Sequence, residues 1–215
     1  MRRTIQAAIY AVSWCIALSL EAAELKNANP PATPPAMPVA AQLPAAPEGF
    51  VWRTYRGAIF ARPSEWHERT ALQAVTKNGI PMTVYAASPE EFSENKQFEM
   101  GITIQAIVHP RRIAKVDASK MAYIVLQPFL EEHKPPNVLL VDRSNRGDSE
   151  YLWFRYRDAP SGQTPIIVHK YIVANDKLDS TYVFTFESPE KTWDENWKKF
   201  GTPFLKNLSV LAVNQ

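Results

Sequence analysis

Between residues 102 and 108 the chain alternates: Ile102, Ile104, Ala106 and Val108 fall on one side of an extended backbone, Thr103 and Gln105 on the other. This is the two-residue period of a β-strand. Residues 137–143, 149–158, 165–174 and 180–187 have the same character, and 50–56, 58–62 and 80–87 predict three earlier strands. The breaks between the later strands are short. Arg146-Gly147-Asp148, Pro160-Ser161-Gly162 and Asn175-Asp176-Lys177 are tight-turn sequences, so consecutive strands are expected to run antiparallel. Two stretches carry the helical period instead. Ala118, Met121, Ala122, Val125, Leu126, Phe129 and Leu130 follow a candidate cap at Asp117, and Pro128 is expected to kink or loosen the last turn. The second helix is expected to start with Ser188 as cap and Pro189 at its first position. It carries the stripe Trp193, Trp197, Phe200, Phe204 and Leu208 and is broken near residue 201 by Gly201 and Pro203. Strands, a long helix, four strands in a row and a terminal helix predict an α+β fold, with helices packed on an antiparallel sheet.

The first 48 residues follow neither period. Arg2 and Arg3, the apolar stretch Ile9 to Leu20 and the small residues Ala22 and Ala23 have the three-part layout of a secretory signal peptide. The apolar stretch is shorter than the roughly 20 residues of a spanning helix, so cleavage near Ala22 and Ala23 is expected, with no stable membrane insertion after processing. From 24 to 48 the chain is a proline- and alanine-rich tether containing Pro30, Pro31, Pro34, Pro35, Pro38, Pro44 and Pro47, expected to be extended and without a core. The organisation that follows is a signal peptide at 1–23, a disordered tether at 24–48, one globular domain at 49–211 and a tail at 212–215.

Cys15, the one cysteine, lies in the leader. A domain without thiols excludes disulfides, thiolate catalysis and cysteine-ligated zinc. Lys and Arg number 24, Asp and Glu 22. Losing Arg2, Arg3 and Glu21 leaves a balance near neutral, with no electrostatic footprint for nucleic acid or an anionic membrane.

Candidate chemistry is sparse. His67, His109, His133 and His169 have no metal-binding spacing, and no nucleophile or phosphate-loop motif is present, so no catalytic residue, metal or cofactor is assigned. The segment Tyr151 to Arg157 stands out. As a strand it puts Leu152, Phe154 and Tyr156 on one face and Tyr151, Trp153, Arg155 and Arg157 on the other, rings beside guanidinium groups, as binding surfaces favour. Two readings stay open here. Those residues and His169, mid-strand between Val168 and Lys170, form a binding face, or the terminal helix covers Trp153 and the arginines pair with acids such as Asp142 or Asp158.

Phe60-Ala61-Arg62-Pro63-Ser64-Glu65-Trp66, with Tyr182-Val183-Phe184-Thr185-Phe186 followed by Trp193 and Phe200, resembles the opening strand and the closing strand and helix of PsbP/Mog1-type domains. The resemblance spans about residues 50 to 210. It implies an α/β/α sandwich with a central antiparallel sheet and a role without catalysis, and it carries no shared catalytic residues. With the leader and tether, it predicts an exported, periplasmic or secreted accessory or binding module of an envelope assembly with a protein partner. The alternatives are a carrier of a small ligand or metal, using a pocket near His169 or Trp153, and a hydrolytic enzyme.

Overall fold

The computed structural model describes residues 43–211 apart from 77, 94–97 and 160–162. The leader, most of the tether, the 160–162 turn and the tail lie outside the described residues.

Strands β1 (Phe50–Tyr55), β2 (Ala58–Pro63), β3 (His67–Val75), β4 (Pro81–Ser88) and β5 (Gly101–Val108) come first. Helices α1 (Pro110–Ala114) and α2 (Ala118–Glu132) follow. Then come β6 (Val138–Arg146), β7 (Ser149–Asp158), β8 (Ile166–Asn175) and β9 (Ser180–Pro189). A 3-10 turn (Glu190–Thr192), α3 (Trp193–Asn196), a π-helical turn (Trp197–Gly201) and α4 (Thr202–Lys206) lead to the short β10 (Leu208–Val210). Seven strands form one sheet in the order β3-β4-β5-β9-β8-β7-β6, antiparallel throughout, and β1-β2-β10 form a second. The arrangement is α+β, with helices on both faces of the large sheet.

The strand alternation read from the sequence decides which side chain enters which core. Ile102, Ile104, Ala106, Tyr182, Phe184 and Phe186 point toward the C-terminal helical segment and the small sheet. Ile107, Leu152, Phe154, Val168, Ile172 and Val183 point toward α2, meeting Met121, Ala122, Val125 and Leu126. The two turns that are described close as expected: Arg146 pairs with Ser149 around Gly147 at φ 58, and Asn175 pairs with Ser180.

Several expectations are corrected. Ser188 is not a cap: β9 runs through Pro189, and the fully buried Ser188 hydroxyl accepts a hydrogen bond from Asn196 Nδ2 (2.7 Å). The terminal helix does not break at 201. It widens into the π-helical turn, and Pro203 sits in the first turn of α4, where its missing donor costs least. Gly201 is required there, since a Cβ would lie 2.5 Å from Trp197 Cε3 and 2.9 Å from Phe186 Cδ1. Asp117 makes no side-chain cap. Its carboxylate holds Arg111 Nε (2.6 Å), and Asp176 from the β8–β9 turn takes the Ser119 N–H instead (2.8 Å). Pro128 lies inside α2, which runs on to Glu132, within the turn where the sequence places it.

Strands β3 and β10 were not anticipated. β3 is an edge strand whose register shifts between Arg69 and Leu72, so its alternation is interrupted. β10 has three residues, too few for a period. Residues 43–48, read as tether, lie with the domain: Trp52 Nε1 donates to the Pro44 carbonyl (2.7 Å) and Phe50 N–H to that of Pro47 (2.9 Å).

Candidate functional site

Tyr151, Trp153, Arg155 and Arg157 share one face of β7, and His169 lies on β8 directly opposite Arg155. Trp153 is opposite Tyr171 by the same register, so the structure gathers the five predicted residues and adds Tyr171. They divide into two halves along the strands.

In the first half, the terminal helical segment closes over Arg155 and His169. Arg155 lies over the rings of Trp197 (4.4 Å) and Trp193 (5.0 Å), and its Nε donates to His169 Nδ1 (3.2 Å). Trp197 packs edge-on against the imidazole at 4.7 Å. His169 is 2% exposed, and burial, reinforced by the Arg155 charge, pulls its pKa down to about 3. The imidazole is therefore neutral at physiological pH. Because Nδ1 accepts from Arg155, the proton resides on Nε2, which has no hydrogen-bond partner among the described residues. A ring held this way beside a guanidinium is poorly suited to binding a cation. Arg157 pairs with Glu190 (2.8 Å), at the start of the terminal segment, and not with Asp142 or Asp158.

In the second half, Trp153 stacks on Tyr171 (5.2 Å) and Tyr151 (6.3 Å), with Tyr151 and Tyr171 themselves 6.0 Å apart and nearly parallel. The two tyrosines pack on the buried aromatic core, but Trp153 belongs to neither buried cluster and stays half-buried. The terminal helix thus shelters Arg155 and His169, while Trp153 rests on the two tyrosines. Beyond it, on the sheet edge β6, Asp142 lies opposite Trp153 and the exposed Leu140 opposite Arg155, whereas the exposed Val141 lies opposite Phe154 and so belongs to the other face. On the other side, Tyr151 and Tyr171 border a groove of about 200 Å³ with Ser149, Val173, Asn175, Leu178 and all of β10.

Sequence reasoning missed a second buried polar cluster, on the α2 face. Lys170, 6% exposed, places Nζ 4.3 Å over the Phe129 ring and 3.5 Å from Thr185 Oγ1. Glu187 shares that face, because it lies opposite Val168 while Lys170 lies opposite Thr185. Burial pushes the lysine pKa down and the glutamate pKa up, each opposed by the charge of the other. The signal was a lysine at a core position of an apolar strand. Sequence alternation alone does not reveal that a carboxylate on the next strand sits diagonally across.

Among the described residues no group of three or more His, Cys, Asp or Glu is placed to hold a metal ion, and no helix is long and apolar enough to cross a membrane.

No protein-family model and no curated protein matches the sequence. Solved structures to which the chain is similar include cyanobacterial PsbP from Synechocystis sp. PCC 6803, at 12% identity and TM-score 0.48, over 81% of this chain and 99% of that one. The Ran-binding protein Mog1p of Saccharomyces cerevisiae is similar at 13% identity and TM-score 0.42, over 72% of this chain and 90% of that one. A mutant Mog1 is similar at 13% identity and TM-score 0.44, over 75% and 96%.

Proposed function

We propose that the protein is an exported, non-catalytic accessory module of an envelope-associated assembly, and that the outer face of β7 recognises a protein partner. Trp153 carries this reading. It is a large ring, half-buried, supported by two tyrosines, outside both cores and near the exposed sheet edge β6. A tryptophan on a rigid aromatic base, next to arginine, has the chemistry of a binding hot spot. The non-catalytic part is supported by His169, a neutral imidazole sealed under Trp197 with Arg155 on its Nδ1. Export and tethering rest on the leader and the proline-rich segment alone.

Affinity recovery from envelope extracts, with wild type and Trp153→Ala side by side, tests the reading. A partner held by wild type and lost by an equally folded W153A is expected. Equal recovery by both proteins, or a protein found entirely in the cytoplasm with its amino terminus intact beyond Ala22 and Ala23, would sink it.

A further inference from the structure

Along one wall of the groove beside Tyr151 and Tyr171 runs β10, whose outer backbone edge has no strand partner among the described residues. β10 pairs with β2 through Leu208/Phe60, Ser209/Ile59 and Val210/Ala58 and ends its sheet among the described residues. The Leu211 N–H bonds the Gly57 carbonyl (2.8 Å), so 211/57 is a hydrogen-bonded pair. Such pairs alternate along an antiparallel ladder, so Ser209/Ile59 is the next one, and Leu208 and Val210 turn their N–H and C=O groups away from β2. Three more properties restrict what fits. None of the nine lining residues is charged. Two of the polar ones are bonded to each other, Asn175 Nδ2 to Ser149 Oγ (2.7 Å), and Asn175 Oδ1 also takes the Leu178 N–H (2.7 Å). The volume, about 200 Å³, exceeds the ~150 Å³ apolar cavity that accepts a benzene ring.

We infer that this groove binds an uncharged, extended peptide segment of a partner, which adds a strand to β10 and lays an apolar side chain against the Tyr151 and Tyr171 rings. The inference deepens the reading of the β7 face, since these rings continue into Trp153. Main-chain bonds at Leu208 and Val210 supply the attachment and the aromatic wall the selection, the division of labour in strand addition. An unpaired edge inside a cleft is sheltered from the indiscriminate pairing to which open edges are prone.

The test uses the full chain, isotope-labelled, titrated with acetyl-Thr-Val-Ser-Leu-Thr-Val-Ser-amide and with two versions N-methylated at alternate residues. NMR shifts at Leu208 and Val210 and at the Tyr151 and Tyr171 rings are expected. One N-methylated version should lose binding and the other keep it, because a strand bonds its neighbour through every second residue. Tyr171→Ala should weaken binding about tenfold or more, as should glutamate in place of the peptide leucine. If Y171A does not fold, Val210→Pro gives the same reading, since it deletes an outward N–H and no bond to β2. Equal binding by both N-methylated versions, shifts elsewhere on the surface, preference for the acidic peptide or no shift at millimolar peptide overturns the inference. Partner loss in W153A without peptide binding removes strand addition and leaves the β7 reading standing.

Discussion

The two faces of the seven-stranded sheet are covered by opposite means. On one, the single long helix α2 sets Met121, Ala122, Val125 and Leu126 onto Leu152, Val168, Ile172 and Val183, with Lys170 and Glu187 toward the end of the helix. On the other, a helical segment that changes pitch three times and a three-stranded sheet bring the rings of Trp193, Phe204 and Phe60 onto Tyr182, Phe184 and Phe186. The side chains that meet α2 are mostly aliphatic, with Phe154 and Tyr156 among them and Tyr156 stacked on Phe129. Large rings force spacing, as Gly201 shows, and the cover on that face leaves Trp153 half-buried and a groove beside Tyr151 and Tyr171. The α2 face is closed, and the incompletely covered face is the one on which the proposed partner would bind.

The comparison is broken most severely at its aromatic centre. Phe204 is fully buried, with Phe60 and Phe184 edge-on at 6.1 and 6.3 Å, so Phe204→Ala should cost about 3–5 kcal/mol in urea unfolding. A loss under about 1 kcal/mol would mean that the terminal segment is not packed there.

Acid separates the faces next. The pKa of His169 is depressed in the folded state, so its stability contribution is intact above the unfolded value of about 6.5 and falls as pH drops toward the folded value of about 3. Wild type should lose up to about 1.4 kcal/mol per pH unit relative to His169→Gln between pH 6 and 4, since glutamine keeps an acceptor for Arg155 without titrating. Parallel stability–pH curves for the two proteins would refute the burial of a neutral imidazole.

On the α2 face a double-mutant cycle should show coupling. Lys170→Met or Glu187→Gln alone leaves a charge in a low-dielectric site and should destabilise, whereas the double substitution should be neutral or up to ~4 kcal/mol stabilising. Additive effects would mean that the two side chains do not interact. The smallest change in stability is expected at the most conspicuous ring. Trp153→Ala should cost less than about 1.5 kcal/mol by thermal unfolding, because Trp153 belongs to neither buried cluster. A cost near that of Phe204→Ala would make it a core residue and weaken the case for recognition.

Much of this was legible in order of residues because it depends on periods. Alternation in β5 and β7 sorted side chains to the correct faces, and a 3.6-residue stripe located α2. Tight-turn sequences at Gly147 and at Asn175 made neighbours antiparallel. What failed lies where two segments compete for one group. Ser188 reads as a cap until Asn196 takes its hydroxyl, and Asp117 reads as a cap until Arg111 takes its carboxylate and Asp176 replaces it from a distant turn. The candidate site divides in the same way. That Tyr151, Trp153, Arg155 and Arg157 share a face follows from the strand period. That Arg155 is roofed by two indoles while Trp153 is not, that Arg157 meets Glu190, and that β10 leaves an edge beside Tyr171 all follow from where residues 190–210 come to rest.

Local periodicity and turn chemistry, written in the order of residues, settled the elements, the antiparallel ladder and the sorting of side chains between faces. Tertiary packing alone decided which of those side chains were sealed and which were left within reach. Burial and hydrogen-bond competition are contests among segments far apart in sequence, and their outcome is set by volume and geometry in three dimensions.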